Sequence, residues 1–104
     1  MPQIPPRKAE FFKALAHPVR IRVLEELGAG DATVSELRAA LDLEQSHLSQ
    51  HLGILRRAGF VTSHREGASV RYAIADERIT NLLQIARQIL IDTAAQAQRD
   101  LAAL

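Results

Sequence analysis

The chain has 104 residues, of which 47% are hydrophobic, a net charge of +1 and no cysteine. That is enough for one globular core, with little room for a second module, and the missing cysteines exclude disulfides and thiolate-bound metal. No stretch stays apolar over the roughly 20 residues a spanning helix needs, and the opening MPQIPPRK lacks the apolar run of a secretion signal, so a cytoplasmic location is expected.

Pro2, Pro5 and Pro6 make residues 1–6 an extended, flexible tail ahead of a single domain over 7–104. Residues 7–16 carry Phe11, Phe12 and Leu15 on one side and are predicted as a helix. His17 before Pro18 marks a break, because proline disfavours helix at the preceding residue and suits a first helical position; the role of His17 is architectural. A second helix is expected over 18–27, ending at Gly28 and Gly30, with Ile21, Val23, Leu24 and Leu27 in the core and Arg20 and Arg22 in solvent.

Thr33 and Glu36 form a Ser/Thr-x-x-Glu capping box, so a third helix starts at Val34. Its apolar Val34, Leu37 and Leu41 share one face until Asp42-Leu43-Glu44 interrupts the period. A fourth helix follows from Gln45, with Leu48, Leu52 and Leu55 as a narrow inward stripe and Ser46, Ser49, Gln50, Gly53 and Arg57 on the opposite face. Gly59 can take the left-handed conformation that stops it, with Phe60 folding back on Leu55. Beyond it, residues 60–65 and 70–75 are predicted as two strands joined by Glu66-Gly67-Ala68-Ser69, since Val70, Tyr72 and Ile74 alternate with Arg71 and Ala73.

A last helix, from about residue 77 to 103, begins after Asp76, a good N-cap, and has no internal glycine or proline. Its broad stripe runs from Ile79, Leu82 and Leu83 through Ala86, Ile89 and Leu90 to Leu101, and Ile85 and Ile91 add apolar surface to the side. One small domain cannot cover all of this, so a homodimer is expected, built on this helix with helix 7–16 alongside. The bland alternative is that the helix folds back onto its own core.

The predicted fold is mainly α (α+β), a winged helix-turn-helix in the order α-α-α-α-β-β-α. In such a fold the second helix of the turn unit enters a major groove. A polar face built from Ser, Gln and Arg is equally the face of an ordinary surface helix; the adjoining hairpin favours a DNA reader. Gln45, Ser46, His47, Ser49 and Gln50 are the candidate base readers, and Arg56, Arg57, Arg65 and Arg71 the candidate phosphate or minor-groove contacts. Residues 45–71 hold four arginines against one acid, a net +3 that leaves −2 for the remainder. Positive charge is thus concentrated where phosphates would lie.

The stretches FFKALAHPVRIRVLEEL, residues 33–59 and REGASVRYAI together resemble the ArsR/SmtB family of small prokaryotic winged-helix regulators. Its most specific elements here are Leu15-Ala16-His17-Pro18 with Arg20 and Leu24, then Ser49-Gln50-His51-Leu52, Leu55-Arg56 and Ala58-Gly59. The resemblance implies a homodimeric transcription factor, in a family known for derepression by metals or other small inducers. Members that sense thiophilic metals carry cysteines where this chain has Thr33 and Ser35, and another family site uses Asp and His along the last helix, where this chain has Asp92 but no histidine after His64.

No cofactor is therefore expected. A divalent metal has only His47, His51 and His64 to draw on: His47 and His51 sit one helical turn apart, but spacing supplies no third ligand, and a partly buried, satisfied His51 is the competing reading. The expected function is a dimeric, sequence-specific regulator, a repressor by occlusion, bound to an inverted repeat in double-stranded DNA. The alternative is a partner-dependent co-regulator whose signal is sensed by another protein. An enzyme is not expected, because no nucleophile has a base and orienting group at interpretable spacing and no glycine-rich phosphate loop is present.

Overall fold

The computed structural model describes residues 4–104, so the first three residues of the expected tail lie outside the described residues. The elements are α1 (Arg7–Leu15), α2 (Pro18–Ala29), β1 (Ala32–Thr33), α3 (Val34–Leu41), α4 (Gln45–Arg57), β2 (Val61–Glu66), β3 (Ser69–Ile74) and α5 (Glu77–Ala102). This is a winged helix-turn-helix with one element more than expected. The two-residue β1 pairs antiparallel with β3, Ala32 opposite Tyr72 and Thr33 opposite Arg71, giving a sheet ordered β1-β3-β2. Two residues are too few to show a strand period, and their partner lies far along the chain.

Local chemistry sets most boundaries. Thr33 accepts from the Glu36 N–H through Oγ1 at 3.2 Å, and Glu36 Oε1 accepts from the Thr33 N–H at 3.4 Å, so the capping box is closed in both directions. Asp42 adopts the left-handed conformation, φ 52°, that turns the chain from α3 into α4. At the far end of α4, Gly59 sits at φ 84° while the Phe60 N–H donates to Leu55 O and the Gly59 N–H to Arg56 O. This paired stop buries Phe60 with Leu55. The wing turn tightens to Gly67 and Ala68, with Glu66 opposite Ser69 and Gly67 at φ 63°, where a two-residue hairpin of this kind places glycine.

Two sequence expectations change. Helix α2 runs through Gly28 to Ala29, and Gly28 serves packing: a Cβ there would lie 3.3 Å from Thr80 Oγ1 on α5, so its absence lets the two helices approach. Arg20 is not a solvated arginine. Its Nε donates to Ala14 O and its Nη2 to Lys13 O, closing the end of α1, because the break at His17 and Pro18 turns α2 back past those carbonyls. His17 itself caps α2, accepting the Val19 N–H at Nδ1 over 3.1 Å.

One core holds the helix-turn-helix and the hairpin together. Val23, Leu24 and Leu27 of α2, Leu37 of α3, and Leu48, Leu52 and Leu55 of α4 are buried with Phe60, Val61, Leu15 and Ile79. Each such side chain contributes about 1.5–3 kcal/mol relative to exposure. Helix α5 joins this core only through its first two turns, by Ile79, Leu82 and Leu83. Its 26 residues span about 39 Å, and the radius of gyration is 17.0 Å against about 13 Å for a compact chain of this size. The helix does not fold back; its distal half projects.

Candidate nucleic-acid interface

With Leu48, Leu52 and Leu55 fixed in the core, helical geometry turns the remaining face of α4 outward. Gln45, Ser46, His47, Ser49 and Gln50 are all exposed along its first half, and Arg56 and Arg57 are exposed at its last turn. Arg65 is exposed on β2, next to the wing turn. Among the described residues none of these eight side chains has a hydrogen-bonded or ion-paired protein partner. Their donors and acceptors are free for a ligand. The notch at Gly53 is occupied from the same helix, since the Arg57 guanidinium lies 3.2 Å from where a Cβ would be.

Arg71 differs from the other eight. Its Nε donates to Glu66 Oε2 across the hairpin, its Nη2 lies 3.8 Å from Glu36 Oε1 on α3, and its Nη1 reaches Asp31 O at 3.5 Å. The guanidinium holds the Glu66 carboxyl below its ordinary range, so the acid on the wing is ionised and its charge balanced.

Sequence reasoning missed Arg38. It is exposed in the last turn of α3 and, with Ser35, Gln45, Ala68 and Ser69, lines a cleft of about 150 Å³ between the turn unit and the wing tip. The available signal was its position in the last turn of the first helix of the helix-turn-helix, the helix that in such units crosses the DNA backbone. Arg38, Arg56, Arg57 and Arg65 together form a set of exposed cations without counter-ions among the described residues.

The three histidines do not converge. His51 turns inward to α2, its ring 4.3 Å from that of His17 and its Nδ1 3.3 Å from Arg20 Nη1. His47 stays on the exposed edge of α4, and His64 is exposed on β2. Burial first, then His17, Arg20 and His47, hold the His51 pKa below the usual histidine value. Among the described residues no group of three His, Asp or Glu side chains is placed to bind a metal ion.

A second surface is apolar. Ile85, Ile89, Leu90 and Leu101 of α5 are exposed, Leu90 at 69%, and Phe12 of α1 is 55% exposed beside Phe11, whose ring packs tilted against Phe60 at 4.8 Å. No helix of the described residues is long and apolar enough to cross a membrane.

Comparison with known proteins agrees with this geometry. Residues 15–64 match the family described as a helix-turn-helix domain. The chain is 54% identical over 84 residues to the HTH-type transcriptional regulator Rv0081 of Mycobacterium tuberculosis, covering 80% of this chain and 74% of that protein. The crystal structure of Rv0081 superposes with a TM-score of 0.81 at 49% identity, over 86% of this chain and 91% of that one. The HTH-type transcriptional repressor SmtB of M. tuberculosis is 38% identical over 95% of this chain and 72% of its own length. A homodimeric winged helix-turn-helix DNA-binding domain of Mycobacterium bovis, a possible ArsR-family regulator, has a TM-score of 0.73 at 30% identity, over 83% of this chain and 79% of its own.

Proposed function

The chain belongs to the ArsR/SmtB family of winged helix-turn-helix transcriptional regulators, and on that premise we propose that it is a cytoplasmic homodimer that binds an inverted-repeat operator in double-stranded DNA and represses by occlusion. The observation that carries this reading is the free polar face of α4 beside the cationic wing, in a chain whose α5 leaves apolar side chains uncovered. A twofold dimer made through α5 and α1 presents two α4 helices, which enter successive major grooves when they stand about 34–36 Å apart.

In this reading Gln45, Ser46, His47, Ser49 and Gln50 read base edges. Gln50 has the strongest case, because it is exposed on the outermost line of α4 and its amide both donates and accepts. Arg56, Arg57 and Arg65 meet phosphates or the minor groove, and Arg38 joins them at the backbone crossing. The partner-dependent alternative uses the same interface and differs in needing a second protein for tight binding; the length of apolar α5 beyond the core gives it a docking surface as well.

The test separates reading from attraction. Gln50→Ala should reduce discrimination between operator and scrambled DNA, while Arg65→Ala should weaken both about equally and lower the salt slope by about one. Equal losses on both DNAs for Gln50→Ala would remove its base-reading role.

A further inference from the structure

Arg71 stands at the joint between the wing and the turn unit. It projects from β3, directly opposite Thr33 of β1 and His64 of β2. Its guanidinium spreads over three anchors on three parts of the chain: the Glu66 carboxylate at the end of β2, the Glu36 carboxylate on α3, and the Asp31 carbonyl before β1. Glu36 is itself fixed, because the same Oε1 accepts from the Thr33 N–H at 3.4 Å and the Thr33 hydroxyl at 3.1 Å. The arginine fork therefore ties the hairpin to the capping box that starts α3, and only 28% of its side chain is left exposed.

We propose that Arg71 is a positioning residue that sets the angle of the wing against the reading unit, and that it makes no phosphate contact of its own. The inference rests on the DNA-binding reading above. It assigns a distinct task to an arginine that sequence alone groups with Arg65. The base of the hairpin is held to the core by Val61, Tyr72 and Ile74, but its tip, from His64 to Ser69, is exposed, and the cleft between Ala68 and Ser69 on the wing and Ser35 and Arg38 on α3 is where rocking of that tip would open. A planar fork with several donors can hold three anchors at once; a lysine ammonium is a point charge and cannot reproduce that. Single exposed ion pairs contribute little to stability, so the effect lies in wing geometry rather than in global unfolding.

The experiment uses the full-length chain in two assays. The first is fluorescence anisotropy over a salt series with a duplex from upstream of its own gene, comparing Arg71→Ala, Arg71→Lys, Glu36→Gln and Arg65→Ala. Glu36→Gln keeps a residue able to complete the capping box. Arg65→Ala should lower the slope of log affinity against log salt by about one. Arg71→Ala should lose about five- to tenfold in affinity with the wild-type slope, Arg71→Lys should fail to restore it, and Glu36→Gln should lose affinity in the same direction.

The second assay needs no DNA. A nitroxide on Ala68→Cys, in a chain with no other cysteine, should give a sharper, more mobile lineshape when Arg71→Ala is added, with the thermal midpoint unchanged. A slope that falls by about one in Arg71→Ala, full rescue by lysine, a gain in affinity for Glu36→Gln or an unchanged lineshape would each overturn the proposal. If the wild type failed to bind DNA, the functional reading would fall, and the lineshape would still report whether Arg71 holds the wing.

Discussion

The reading half of the molecule and its terminal helices are built to opposite specifications. From α2 to β3 the large apolar side chains pack into one core, Leu48, Leu52 and Leu55 are at most 1% exposed, and the outer face of α4 carries Ser46, Ser49, Gln50 and Arg57. From Leu83 onward, α5 carries Ile85, Ile89, Leu90 and Leu101 into solvent, with Phe12 of α1 also uncovered. The first half covers its own large apolar side chains, and the exposed arginines of α4 and the wing suit a polyanion. The second leaves large apolar side chains uncovered, the mark of a contact surface, and the similar domain of M. bovis is homodimeric.

The contrast can be broken at either end. The largest effect should come from the closed core: Leu52→Ala removes buried contacts from the centre of α4 and should cost about 2–5 kcal/mol in urea unfolding, with loss of DNA binding. On the open side, Ile89→Asp should leave the circular dichroism spectrum and the reading unit intact while weakening self-association by about tenfold or more in sedimentation equilibrium. A variant that instead unfolds would mean that α5 depends on its own core more than its exposure implies. Thr33→Ala should cost about 1 kcal/mol by opening the capping box, and it also removes one of the two bonds that fix Glu36 beneath Arg71.

Acid distinguishes the two halves more finely. The folded His51 pKa lies below its ordinary value, so the unfolded chain takes up that proton first and stability falls as the pH drops below about 6.5. His51→Gln should remove this part of the profile. At the start of α5, Asp76 caps the helix and pairs with Arg78; hydrogen bonds from the Arg78 side chain and N–H lower its pKa to about 2. Its contribution is fully present above about pH 4 and is lost as the pH falls toward 2, so Asp76→Asn should flatten only that lower window. Unfolding midpoints measured from pH 8 to 2 check both.

The features legible in sequence are the ones fixed by neighbours. The capping box at Thr33 and Glu36, the stop at Gly59 and Phe60, the inward stripe of α4 and the Asp76 cap all involve residues within one or two turns, and the bounds of α3 and α4 follow from them. What sequence did not show depends on distant partners. Strand β1 exists only because β3 lies beside it. Arg20 is drawn to the end of α1 and to His51, 31 positions away, and Gly28 is small because Thr80 crosses it. Arg71 looked like Arg65 on a strand pattern; its partners on α3 and before β1 separate them. The candidate interface was legible as a polar face, but Arg38 enters it only once the turn at Asp42 brings α3, α4 and the wing tip around one cleft.

The most direct measurement is a titration of the intact protein, by fluorescence anisotropy, against a labelled duplex from upstream of its own gene and a scrambled duplex of equal length. The account predicts selective, salt-sensitive binding that saturates at two protomers per duplex. Equal affinity for the two duplexes across the salt series would contradict it.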